Sequence, residues 1–253
     1  MDIGMVGRFF GRRTGGNWRP PADELRFAAA AGFDTVQIRS DRPGELEDDL
    51  GIAPAELGAL FDEIGLEPVL EMLVRHEGDP GTFGRALRAN LEAIEAIGVL
   101  RVHIHPVGSH DAAPHLQHDF AEAVEIAEEA GLIFGVEHNP PGHRLLTEPG
   151  EIEALLELIP ALGFVWDTNH TLPEHRDRFL ALRERFTLVH VSDTPLPETN
   201  YHLPLGRGSV DLAPLEGLDV PLILEIGGQP VSGGYGRDTD DVLLDSLARL
   251  RRA

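Results

Sequence analysis

Eight short apolar runs recur along the 253-residue chain, and nearly all are followed by a stretch of helical character. The runs cover residues 2–6, 35–38, 67–74, 99–105, 132–137, 164–166, 186–191 and 221–226. Helices are predicted over 21–31, 54–64, 82–97, 119–130, 149–159, 172–185 and 240–252, with only a short helical turn near 212–215. Glycines 32, 65, 98 and 131 punctuate the helix ends, as expected where the chain must leave a helix. The runs lack clean polar–apolar alternation, so both faces of each strand are expected to be buried, as in a parallel sheet wrapped by helices. Eight such units with right-handed crossovers predict one (β/α)8 barrel over residues 1–253. An open doubly wound sheet fits less well, because no Gly-x-Gly-x-x-Gly follows the first run.

Composition narrows the chemistry. The chain has no cysteine and its 21 basic residues are all arginine. Disulfides, thiolate metal sites, cysteine nucleophiles, Schiff bases and Walker-type phosphate loops are thereby excluded. A metal would have to be held by His, Asp and Glu. The formal net charge of −22 disfavours nucleic acid as a partner. No apolar stretch is long enough to span a membrane, and no signal-peptide pattern opens the sequence, so a cytoplasmic location is expected, with oligomerisation left open.

The strand ends carry the functional signal. In a barrel the C-terminal strand ends converge on one mouth, where active sites lie. This chain places Arg39, Glu71, His103, His105, Glu137, Asp167, His170, His190, Asp193 and Glu225 there. Nearly every strand from the third onward thus delivers a residue type that ligates divalent ions. His103 and His138 are expected to pack behind the ligands, and His110, His115, His118, His143 and His175 to lie on the surface. Arg8, Arg39 and Arg75 each follow one of the first three strands. They would form an anion clamp for a phosphate or carboxylate of the substrate.

Taken in order, His105-Pro106, Val136-Glu137-His138-Asn139, Asp167-Thr168-Asn169-His170, His190-Val191-Ser192-Asp193, His202 with Gly206-Arg207-Gly208-Ser209-Val210-Asp211, and Leu224-Glu225 resemble the xylose isomerase-like TIM barrels. That superfamily includes ketose 3-epimerases and endonuclease IV. The resemblance implies one divalent ion (Mn²⁺, Zn²⁺, Mg²⁺ or Co²⁺) held by Glu137, Asp167, His190 and Glu225. It implies a sugar or sugar-phosphate isomerase or epimerase that works through a metal-stabilised enediolate. Glu137 and Glu225 would act as acid and base as well as ligands, with His170 assisting at the substrate oxygens.

The sequence also departs from the family pattern. Leu196 stands where the epimerases carry Arg, and Ser192 where many relatives have Lys. The alternative is an endonuclease IV-like phosphodiesterase with three metals, for which His105, His170 and His202 would ligate the additional ions. Against it, Asn200 replaces an expected Asp and Glu71 an expected His. A catalytically inert metal-binding barrel is the third reading. One metal is expected, with His170 and His202 left for substrate and His105, beside Glu71, the ligand of any weaker second ion.

Overall fold

The computed structural model describes residues 1–8, 19–40, 42, 44, 46–227 and 239–252. Arg12 and Arg13, in the Arg-rich segment after the first strand, lie outside the described residues. Eight strands form a closed, all-parallel barrel in sequence order: β1 (Ile3–Val6), β2 (Thr35–Ser40), β3 (Glu67–His76), β4 (Arg101–Gly108), β5 (Ile133–Glu137), β6 (Gly163–Asp167), β7 (Phe186–Val191) and β8 (Leu222–Leu224). β1 pairs with both β2 and β8, which closes the ring. The sequence therefore reads correctly as a (β/α)8 barrel.

Around the barrel lie α1 (Pro21–Ala31), α2 (Leu46–Leu50), α3 (Pro54–Ile64), α4 (Thr82–Ile97), α5 (Leu116–Glu129), α6 (Pro149–Leu158), α7 (Arg176–Leu180) and α8 (Asp240–Leu250). Proline opens α1, α3 and α6, where its missing N–H costs no hydrogen bond. Gly32 closes α1 at φ 85°, a left-handed conformation that glycine adopts without a Cβ penalty.

Two elements differ from the sequence expectation. α2 is an additional short helix. The predicted long helix over 172–185 is instead α7 followed by a separate turn, Arg183–Arg185. There the Arg185 guanidinium donates to the carbonyls of Leu156 and Ile159, so a surface charge is spent tying the segment to α6. β7 connects to β8 through a single helical turn, Ala213–Leu215, as expected.

The large apolar core lies between strands and helices, with Phe61, Phe83, Phe120, Phe164 and Trp166 buried in it. A second small cluster fills the barrel interior: Val69, Val165, Leu188 and Ile223, with Val6 against it. These residues point inward from five different strands. Because side chains alternate along a strand, the residues two positions further on, such as Glu71, Asp167, His190 and Glu225, also point inward, one layer nearer the mouth. Gly135 and Gly163 are required low in the barrel, since a Cβ on either would run into Thr187. Among the described residues no helix is long and apolar enough to cross a membrane.

Candidate metal centre

The inward layer at the strand ends brings ligand types from six successive strand ends to one place. Glu137, Asp167, His190 and Glu225 offer ligand atoms that all lie within 4.8 Å of one another, as do those of Glu71, His105 and Glu137. Glu137, at the end of β5, is the hub. Its Oε1 lies 3.1 Å from His190 Nδ1 and its Oε2 lies 3.3 Å from His105 Nδ1. Glu225 Oε2 approaches the same His190 Nδ1 at 3.3 Å. Asp167 Oδ2 faces His170 Nε2 at 3.2 Å.

Each imidazole is held by its other nitrogen. His190 Nε2 contacts Gln37 Oε1 at 2.9 Å. His105 Nε2 contacts Asn139 Oδ1 at 2.9 Å, while the Asn139 amide donates to the carbonyls of Pro106 and Leu145. His170 Nδ1 donates to the carbonyl of His138 at 3.0 Å. In all three, an oxygen acceptor takes the proton of one ring nitrogen and leaves the other aimed at carboxylates. Histidine ligands are oriented in this way in metal sites.

The electrostatics follow from crowding. Glu71, Glu137 and Asp167 are about 99–100% buried. Burial opposes the charged form of His190, but Glu137 and Glu225 outweigh it and push the imidazole up to about 10. His105 is likewise raised, to about 9, because Glu137 and Glu71 overcome its burial. Burial and the neighbouring acids Glu71, Glu137 and Asp167 lift Glu225 to about 8, against the pull of His190. Glu71 goes the other way despite burial, down to about 2, held by Arg39 and His105. Burial raises Asp167 and lowers His170.

Some buried atoms have no hydrogen-bond partner. Glu137 Oε2, Asp167 Oδ2 and both ring nitrogens of His103 are among them. Buried carboxylate oxygens are normally paired. Here they belong to residues whose ligand atoms lie within 4.8 Å of one another, so the donor set fits a divalent cation: three carboxylates and one imidazole make a mostly hard site.

The remaining sequence-selected residues divide. His202 sits at the rim with both nitrogens engaged, Nδ1 at 3.1 Å from the Glu225 carbonyl and Nε2 at 2.9 Å from Asn200 Oδ1. His170 is only 3% exposed, its Nδ1 donating to the His138 carbonyl and its Nε2 facing Asp167 Oδ2 at 3.2 Å. Asp193 does not join the cluster: its carboxylate accepts from the N–H groups of Thr194, Gly206 and Val210 and organises the β7–β8 loop. His138 packs against Phe164 and Phe179, behind the site as expected.

The three-arginine clamp does not form. Arg8 is buried in ion pairs with Glu24 and Asp240 at 2.7 and 2.9 Å, tying β1 to α1 and α8. Arg75 has a side chain 71% exposed and paired with Glu77. Only Arg39 reaches the pocket, 3.9 Å from Glu71. Position just after a strand does not fix which way a long side chain turns.

Gln37 and Asn139 escape a search for charged ligand types. For Gln37 no local signal exists; Asn139 stands in the quoted run Val136-Glu137-His138-Asn139, but nothing there marks its role.

A family described as xylose isomerase-like TIM barrel matches residues 25–227. No curated protein matches the sequence. Solved structures share the fold at low identity. A D-allulose 3-epimerase from Methylomonas sp., in complex with D-allulose, is 17% identical with a TM-score of 0.77, over 100% of this chain and 96% of that one. A D-psicose 3-epimerase from Clostridium cellulolyticum H10, with D-tagatose, is 13% identical with a TM-score of 0.74, over 100% and 99%. The IOLI protein with a bound zinc atom is 15% identical with a TM-score of 0.76, over 99% and 96%.

Proposed function

Because the chain belongs to the xylose isomerase-like TIM barrel family, we propose that it is a divalent-metal-dependent isomerase or epimerase acting on a small sugar or sugar phosphate. One observation carries the reading: Glu137, Asp167, His190 and Glu225 converge from four successive strand ends, with carboxylate oxygens of Glu137 and Asp167 buried and unpartnered. The solved epimerases with bound ketoses and the zinc-bound relative support the substrate class and the metal.

When bound, the cation supplies Lewis-acid charge that acidifies a C–H beside a sugar carbonyl. The protein supplies the proton traffic. Glu137 and Glu225 reach the same His190 nitrogen, at 3.1 and 3.3 Å, from β5 and from the residue after β8. In the metal-free site their proton affinities are already split: Glu137 is held well below its usual range despite burial, chiefly by His105 and His190, whereas burial lifts Glu225 to about 8. Such splitting marks a base and an acid in one pocket. Glu137 and Glu225 remove and return the proton between them. His170, anchored on the His138 carbonyl, orients Asp167. Arg39 stands at the rim beside Glu71, placed to meet an oxygen-rich substrate.

The test is incubation of the Mn²⁺-loaded protein with a panel of ketopentoses and ketohexoses, free and phosphorylated, in deuterated water. Proton NMR should show deuterium entering one carbon beside the carbonyl of the true substrate, and Glu137→Gln or Glu225→Gln should slow that exchange by roughly 10²–10⁴-fold. Unchanged exchange in both variants, or cleavage of abasic-site DNA instead, would exclude the reading.

A further inference from the structure

Gln37 lies in the interior of β2, fully buried, and touches both halves of the acidic cluster. Its Nε2 is 3.1 Å from Glu71 Oε2 and its Oε1 is 2.9 Å from His190 Nε2. The orientation of this amide is determined by its neighbours. Glu71 Oε2 belongs to a carboxylate flanked by Arg39 at 3.9 Å and His105 at 3.6 Å, so Gln37 presents its NH₂ group there and donates to it. Its carbonyl then faces His190, and His190 Nε2 must carry a proton. That leaves His190 Nδ1 as the nitrogen turned toward Glu137 and Glu225.

We propose that Gln37 is the positioning residue of the metal centre: it fixes His190 as an Nδ1 ligand and couples it mechanically to Glu71. This rests on the metal-binding reading above. A barrel interior offers His190 no other described oxygen acceptor on its Nε2 side. Without the amide the ring could turn or take its proton on the wrong nitrogen, and part of the binding energy would go into restoring it. Loss of such an orienting partner weakens metal binding by about 10–100-fold in general. A neutral amide also suits this position. A carboxylate in its place would stand 3.1 Å from Glu71, adding repulsion where four acids already converge.

Two measurements on the full-length protein test it. The first needs no variant. In the Zn²⁺-loaded wild type, nitrogen-15 NMR should show His190 bound through Nδ1, with a sharp, slowly exchanging Nε2–H proton. Zinc on Nε2 would overturn the proposal. The second compares Zn²⁺ dissociation constants by calorimetric titration for wild type and Gln37→Leu, a side chain of similar size without polar atoms. A 10–100-fold weakening in the variant, with the Nε2–H signal lost to solvent exchange, is expected. Equal affinity in the two would show that Gln37 is only a packing residue. Failure of the wild type to bind Zn²⁺ or Mn²⁺ at all would instead remove the metal-binding reading itself, and this inference with it.

Discussion

Two buried groups of acid and histidine in this barrel use the same residue types to opposite ends. At the upper end of β3, His76 and Asp119 are fully buried. His76 Nε2 donates to Asp119 Oδ2 at 2.9 Å, and His76 Nδ1 accepts the N–H of Gly78. Asp119 also accepts the N–H groups of Gly81 and Thr82. Every polar atom of that pair is used, and the pair pins the β3–α4 loop to α5. At the mouth, Glu137 and Asp167 are equally buried, yet each keeps an oxygen without a partner. Burial of charge therefore does not distinguish a structural tie from a functional site here. Completeness of the hydrogen bonding does: the satisfied pair stabilises the fold, and the incomplete cluster is built for something that arrives from solution.

The largest effect should come from removing charge at the incomplete cluster. Glu137→Gln combined with Asp167→Asn should abolish bound divalent metal, as read by elemental analysis of protein purified without chelator, while the fold survives. Full metal content in that double variant would erase the distinction between the two groups.

The converse substitution belongs at the satisfied pair. Asp119→Ala strips partners from His76 and from two backbone N–H groups, and a buried network broken on one side costs about 3–5 kcal/mol. Urea unfolding should show that loss with metal affinity unchanged. Lost metal affinity with stability intact would reverse the assignment of roles.

A smaller effect separates the groups by pH. In the metal-free protein, His190 and His105 hold protons up to about 10 and 9, Coulombically favoured by Glu137 although burial opposes it. Unfolded histidines titrate near 6.5, by about that value. Stability from these bound protons is complete below the unfolded value and is lost as pH rises through the folded ones. Glu225, raised to about 8 chiefly by burial, acts in the same direction. The melting temperature of chelator-treated protein should fall between pH 6.5 and 9, and saturating Mn²⁺ should flatten that fall by replacing the protons with a cation. Equal slopes with and without Mn²⁺ would count against a cation at the mouth.

Much of this was legible in the chain. The barrel follows from eight apolar runs separated by capped helices, because both signals are local. The convergence of Glu137, Asp167, His190 and Glu225 at the mouth follows from their places at or beside strand ends, which converge in a barrel whatever the loops do. Three things were not. The outcome for Arg8 depends on Glu24 and Asp240, 16 and 232 residues away, which only the closed fold brings together. Gln37 is one of several polar residues in β2, and the role proposed for it depends on β3 lying beside β2 and on β7 facing it across the lumen. The break in the segment 172–185 reflects Arg185 reaching the carbonyls of α6, a tertiary bond that helical composition cannot announce.

Anomalous diffraction from crystals grown with Mn²⁺, recorded above and below the metal edge, tests the incomplete cluster most directly. One strong peak is predicted, in contact with Glu137, Asp167, His190 and Glu225 and with His190 bound through Nδ1. Any second peak should be weaker and lie between Glu71 and His105. Two fully occupied peaks with the second on His170 and His202, or no peak among the four ligands, would contradict it.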